Sequence, residues 1–261
     1  MSTLAPLRVS LVQTDLHWHA PAQNRQALAE SLAPLAGQTD LVVLPEMFTT
    51  GFTMSPETQA EAYGGETLVW MRAQAAHVQA AVCGSVATAA EGRYVNRFLL
   101  VTPDGEVQFY DKHHLFRMGD EPNHYHAGQE RKVFHYRGWR ILPQVCYDLR
   151  FPVFMRNRND YDLAVVVANW PAPRRQPWRI LLQARAIENL AYVVGVNRIG
   201  SDGAGLAYSG DSLAIDFRGG LLVDYPEHTA FTATTTLDGQ ALNTFRQQFP
   251  AWMDADGFEL R

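Results

Sequence analysis

Cys146 ends the apolar run Ile141-Leu142-Pro143-Gln144-Val145 and opens Tyr147-Asp148-Leu149-Arg150-Phe151-Pro152, which reads as the first turn of a helix. A thiol at a strand-to-helix elbow sits in a sharp turn at the rim of a sheet. The partial positive charge of a helix N-terminus favours thiolate over thiol there, which suits a nucleophile. A buried structural thiol is the alternative, and Cys83, inside Ala80-Ala81-Val82-Cys83-Gly84-Ser85, reads as one. Two more apolar runs finish in polar residues: Leu41-Val42-Val43-Leu44-Pro45-Glu46 and Val165-Val166-Val167-Ala168-Asn169-Trp170. Ligands of α/β sheets bind beyond the carboxyl ends of strands, so Glu46, Cys146 and Asn169 are expected to cluster. Taken singly, Glu46 is also readable as a capping or solvated turn acid, and Asn169 as a turn residue. Lys112 lies between Phe109-Tyr110-Asp111 and His113-His114-Leu115-Phe116. A lone lysine is ordinarily a solvated charge; buried beside carboxylates and a thiol it would stabilise an anion.

The elements that must position these groups are short apolar runs alternating with helical patterns, which predicts α/β architecture. Strands are expected at 7–13, 41–44, 80–87, 139–145, 163–168, 191–196 and 231–237. Helices are expected at 24–35, ended by Gly37, at 67–79 and at 176–189. Pro103-Asp104-Gly105 and Arg218-Gly219-Gly220 are turn signals, predicting hairpins between 94–101 and 107–110 and between 213–217 and 221–224. About ten strands with four or five helices exceed a simple doubly wound sheet. Two stacked sheets with helices outside accommodate them.

With 47% apolar and 19% charged residues, the 261-residue chain has the composition of a well-buried globular protein. No linker or low-complexity tract divides it, so residues 1–261 are read as a single domain. A formal charge of −5 without a basic stripe speaks against nucleic acid as a partner. The first residues lack a cationic segment followed by an apolar stretch, so no signal peptide is expected. No apolar run is long enough to span a membrane. Two cysteines 63 positions apart make no disulfide scaffold, and a reduced cytoplasmic location is the simplest account. Neither a GxGxxG opening a helix nor a P-loop is present, so no cofactor is expected.

Leu44-Pro45-Glu46, Tyr110-Asp111-Lys112-His113-His114-Leu115-Phe116 and Val145-Cys146-Tyr147-Asp148-Leu149-Arg150-Phe151-Pro152 resemble the three signature segments of the nitrilase, or carbon–nitrogen hydrolase, superfamily. Ala168-Asn169-Trp170-Pro171 and Ala184-Arg185-Ala186-Ile187-Glu188-Asn189 are similar to its secondary motifs. The resemblance implies a four-layer α-β-β-α sandwich of two stacked mixed sheets, a Glu46-Lys112-Cys146 triad and a homodimer. It also implies a supporting glutamate after the lysine motif. Glu121, in Gly119-Asp120-Glu121-Pro122, matches it better than Asp120.

The implied chemistry is amide hydrolysis, in which Cys146 attacks, Glu46 shuttles the proton, and Lys112 with the Tyr147 N–H holds the oxyanion. Glu121 would position Lys112 or the substrate amide. A cysteine–histidine protease lacks its sequence context here. The His113, His114, His124 and His126 group lacks HExxH or zinc spacing, so no metal is expected. His113 is read instead as a hydrogen-bonding neighbour of the site. A non-catalytic binding protein of this fold would be expected to lose one of the three triad types, and all are present.

The segment 146–152 looks like the ω-amidase branch, whose substrates are the small-molecule amides 2-oxoglutaramate and 2-oxosuccinamate. Deaminated glutathione or an N-carbamoyl amino acid is the alternative substrate. A short amide with one carboxylate calls for a cation in a small pocket. Arg150 is the favoured candidate, since a guanidinium grips carboxylate bidentately. A salt bridge to Asp148 is its alternative role, and Arg117 and Arg174 are further contenders. Phe52, Phe116, Asn169, Trp170 and Tyr208, together with Phe48, are the expected pocket walls.

Overall fold

The computed structural model describes residues 4–260. Its strands are β1 (Leu7–Gln13), β2 (Leu41–Val43), β3 (Glu61–Ala62), β4 (Ala81–Ala90), β5 (Arg93–Val101), β6 (Val107–Asp111), β7 (Phe134–Tyr136) and β8 (Trp139–Val145). The chain continues through β9 (Leu163–Ala168), β10 (Tyr192–Asn197), β11 (Ile199–Ser201), β12 (Ala207–Ser209), β13 (Leu213–Ile215), β14 (Leu221–Asp224) and β15 (Phe231–Leu237). Six α-helices accompany them: α1 (Pro21–Leu32), α2 (Pro56–Gln59), α3 (Glu66–Val78), α4 (Pro152–Met155), α5 (Arg175–Asn189) and α6 (Gly239–Gln248).

Two mixed sheets result, beside a two-stranded antiparallel ribbon of β11 and β12. The first has the order β15-β1-β2-β4-β5-β6, with β3 on β4; the second runs β14-β13-β10-β9-β8-β7. Each has a parallel centre, β1-β2-β4 and β8-β9-β10, flanked by antiparallel strands. The central strands are buried on both faces, which is why β9 reads Leu-Ala-Val-Val-Val-Ala without alternation. In the first sheet successive residues divide between two cores. Leu11, Val43, Cys83 and Leu100 join one cluster with Ile141, Val145 and Val165 of the second sheet. Val12, Val42, Val82 and Leu99 join another with Leu28 and Leu32 of α1 and Met71 and Ala75 of α3. On the second sheet Trp178, Leu182 and Ala186 of α5 and Leu242 of α6 close the outer side. The sandwich is therefore helix, sheet, sheet, helix. Among the described residues no helix is long and apolar enough to cross a membrane.

Several expected elements shift for local reasons. The helix expected from residue 24 starts at Pro21, whose fixed φ suits a first turn. Its last turn tightens to a 3₁₀ turn at Ala33–Leu35, because Pro34 has no N–H to donate. The helix expected after Cys146 is a 3₁₀ turn, Cys146–Arg150, followed by the four-residue α4. Pro152 disfavours helical backbone at Phe151, which is extended at φ −108°, ψ 90°. Strands β3, β7, β11 and β12, of two or three residues, escaped the sequence reading, as did α6.

Leu11 is fully buried between the sheets. Leu11→Ala is expected to destabilise the protein by about 2–5 kcal/mol through lost burial and the cavity left behind, read as a shifted midpoint in denaturant unfolding.

Candidate active site

Glu46 lies three residues past β2, Lys112 directly past β6, Cys146 directly past β8 and Asn169 directly past β9. Cys146 has φ +48°, a left-handed conformation costing a non-glycine residue about 1–2 kcal/mol. That turn is bolted in place by Asp148, which is fully buried. Its carboxylate accepts the N–H of Val145 at 3.0 Å and the Tyr110 hydroxyl at 2.8 Å. It also accepts the N–H of His114 at 2.9 Å and bonds His114 Nδ1 at 2.8 Å. One carboxylate thus ties the cysteine turn to the segment that carries Lys112. Behind that segment, the loop at Gly128 approaches so closely that a Cβ there would lie 2.1 Å from the Asp111 carbonyl oxygen.

Glu46, Lys112 and Glu121 are fully buried together. Lys112 Nζ donates to Glu46 Oε1 at 3.0 Å and lies 2.9 Å from Glu121 Oε2. Asn96, in mid-strand on β5, donates from Nδ2 to Glu46 Oε1 at 2.8 Å and to Glu121 Oε1 at 3.3 Å. The other oxygen of Glu46 accepts the Asn169 N–H at 2.7 Å, and Asn169 Nδ2 donates to the Glu46 carbonyl at 2.6 Å. Glu121 Oε2 accepts the N–H of Phe116 at 2.6 Å. The Cys146 thiol donates to the Asn169 carbonyl oxygen at 4.0 Å, at the edge of this cluster. The structure therefore brings Glu46, Lys112, Cys146, Glu121 and Asn169 together and adds Asn96. A polar residue inside Val95-Asn96-Arg97-Phe98 was the available signal for it. Asp120 is excluded; it turns outward to Asn123 and His124.

Electrostatics here contradict the thiolate expected at the elbow. Burial, then the Glu46 charge, push the Cys146 thiol well above the ordinary cysteine range, and Lys112 opposes them only in part. The five-residue 3₁₀ turn is also too short to sum peptide dipoles as a long helix does. The resting sulfur keeps its proton. Burial alone would lower the Lys112 ammonium, but Glu121 and Glu46 outweigh it and raise it. Burial, reinforced by Glu46, raises Glu121 against the pull of Lys112.

Above this cluster opens a cavity of about 550 Å³. Of the expected walls, Phe52, Phe116, Asn169, Trp170 and Tyr208 line it, and so do Trp18, Met54, Met118, Tyr147 and Leu206. Phe48 does not; it packs against Trp70 on the helix side of the first sheet. The small volume expected for a short amide is not what the structure has. Arg150 lines the cavity over the Trp170 ring at 4.9 Å. Its alternative partner Asp148 is fully engaged elsewhere, so that salt bridge is absent. Arg174 also lines the cavity, whereas Arg117 does not. The histidines serve local structure: His113 Nδ1 meets the Gly128 carbonyl at 2.6 Å, His114 meets Asp148 and His124 meets Asp120. Cys83 is buried in the intersheet core.

Residues 8–247 match the carbon–nitrogen hydrolase family model, and the chain belongs to that family of amide-hydrolysing enzymes. Within it, the chain falls in the ω-amidase branch. It is 51% identical over 255 residues to the ω-amidase YafV of Escherichia coli (strain K12), covering 97% of this chain and 98% of that one. A 2-oxoglutaramate amidase of Bacillus subtilis (strain 168) is 32% identical over 221 residues, covering 83% and 85%. A solved CN-hydrolase superfamily protein of Xanthomonas campestris, with an arsenic adduct in its active site, superposes with a TM-score of 0.96. It is 50% identical and covers 98% of this chain and 99% of that one.

A raised thiol has a measurable consequence. Above the ordinary cysteine range the unfolded chain releases the Cys146 proton while the folded protein keeps it, so stability falls as pH rises. Cys146→Ala removes that contribution. Its denaturation midpoint is expected to decline less between pH 8 and pH 10 than that of the parent protein, by about 1 kcal/mol per pH unit of thiol titration.

Proposed function

We propose that Glu46, Lys112 and Cys146 are a catalytic triad that hydrolyses the ω-amide of small 2-oxo dicarboxylate monoamides, 2-oxoglutaramate and 2-oxosuccinamate. The observation that carries this reading is the buried Glu46 carboxylate, which pairs with the Lys112 ammonium and holds Asn169, whose carbonyl oxygen takes the Cys146 thiol. Because the sulfur is protonated at rest, attack needs a base. Glu46 takes the thiol proton as Sγ bonds to the amide carbon and the carbonyl oxygen becomes an oxyanion. A lysine ammonium has three N–H groups. Two face Glu46 and Glu121, and the third serves the oxyanion with the N–H of Tyr147, which the first turn leaves without an intrahelical acceptor. Collapse breaks the C–N bond, and Glu46 returns the proton to the departing ammonia. The thioester is then attacked by water, whose proton Glu46 takes. Collapse breaks the C–S bond, releases the dicarboxylate and returns the proton to sulfur.

Glu121 and Asn96 act as positioning residues, holding Lys112 and Glu46 in this geometry. Arg150, in the nucleophile's own turn, grips the substrate carboxylate. Relatives described as ω-amidase and as 2-oxoglutaramate amidase support the substrate assignment. The core cluster runs from Leu7 to Leu242 through both sheets, which supports one domain. Exposed Val153 on α4 and Ile180 and Ile187 on α5 support a homodimer paired across these helices. The two free, buried cysteines suit a reducing cytoplasm.

Two measurements test this reading. Cys146→Ala is expected to abolish ammonia release with unchanged circular dichroism, and Glu46→Gln to lower kcat about 10²–10⁴-fold. In a panel of 2-oxoglutaramate, 2-oxosuccinamate, glutamine, deaminated glutathione and an N-carbamoyl amino acid, the first two are expected to turn over fastest. Fastest turnover of any other compound contradicts the substrate assignment.

A further inference from the structure

Two guanidiniums line the cavity, where a substrate with one carboxylate needs only one. Arg150 belongs to the turn of the nucleophile, and Arg174 ends the segment Ala172–Arg174 beyond β9. Arg174 lies over the Phe116 ring at 5.5 Å, with Nη1 3.9 Å from the sulfur of Met118, which is 79% exposed at the cavity mouth. Each cation thus rests its face on an aromatic ring, which leaves the N–H edge of the fork for a ligand. Among the described residues neither forms an ion pair, whereas Arg175 and Arg179 on the neighbouring helix both grip Asp211. The one carboxylate in the cavity wall, Asp202, accepts the N–H of Ala204 and of Leu206 and the hydroxyl of Tyr208. The cavity wall therefore carries two guanidiniums against one carboxylate, and neither guanidinium is paired with it. The volume, about 550 Å³, falls in the range of drug-sized ligands and far exceeds a five-carbon acid amide.

We infer that Arg174 is an outer carboxylate subsite. It admits ω-amides whose carboxylate lies further from the scissile bond, the unbranched dicarboxylate monoamides of six and seven carbons. Arg150 serves the four- and five-carbon amides. The inference rests on the proposed roles of Cys146 and Arg150. The inference places the carboxylate of a short chain at Arg150, in the nucleophile's own turn, and that of a longer chain at Arg174, beside Phe116 and Met118. A carboxylate held by a guanidinium fork gains charge-assisted hydrogen bonds, so losing the fork should weaken binding about tenfold or more.

The test is the rate of ammonia release from succinamate, glutaramate, adipamate and pimelamate by the full chain, Arg150→Gln and Arg174→Gln. The readout is the ratio of kcat/KM for adipamate to that for succinamate. Arg174→Gln is expected to lower this ratio about tenfold, through KM, and Arg150→Gln to raise it. A ratio that neither variant moves, or that both move in the same direction, overturns the outer subsite. So does an unsubstituted enzyme that hydrolyses succinamate but neither longer amide. Release from none of the four overturns the proposed ω-amidase reading itself.

Discussion

The site depends on one ammonium held between two carboxylates out of contact with water. Lys112 cannot be there without Glu46 and Glu121, because an unpaired buried charge costs several kcal/mol. Nor can the two glutamates lie so close without Lys112 and the Asn96 amide to separate their charges. The arrangement is over-determined, and that rigidity lets Cys146 persist with φ +48°. Asp148 completes the frame by joining the cysteine turn to the lysine segment through Val145, Tyr110 and His114.

The same electrostatics set the order of chemical events. A thiol next to Lys112 alone would ionise early. Under burial and the Glu46 charge it is pushed up instead, so in the proposed mechanism the proton leaves only as a carbonyl carbon arrives. Protonated sulfur is a poor target for alkylating and oxidising agents, so the proposed nucleophile is protected at rest. The ligand-facing side contrasts with this crowded floor. Its arginines stack on aromatic rings and, among the described residues, have no carboxylate partner.

How much of this the sequence disclosed follows from how local each cause is. The bounds of β8, β9 and β15 were legible because uninterrupted or alternating apolar runs stop at polar residues. The gathering of Glu46, Cys146 and Asn169 followed from strand ends alone. Glu121 was legible only through family resemblance, since nothing in Gly119-Asp120-Glu121-Pro122 distinguishes it physically from Asp120. Asn96 was missed because its partner Glu46 is fifty positions away and its strand reads as ordinary hairpin. The thiolate expectation failed for the same reason. The elbow is local, but the burial that raises the thiol, and the Glu46 charge that adds to it, come from distant parts of the chain. Phe48 was misplaced because strand-end aromatics can face either core, and its side is fixed by contact with Trp70.

The central claim is that acyl transfer passes through the sulfur of Cys146 in this buried cluster. The direct measurement is peptide mass spectrometry of enzyme quenched in acid during turnover of 2-oxosuccinamate, on a timescale shorter than one catalytic cycle. The account predicts the acyl mass increment on the peptide containing Cys146. An acyl group on any other residue, or steady turnover with Cys146 unmodified at every quench time, contradicts it.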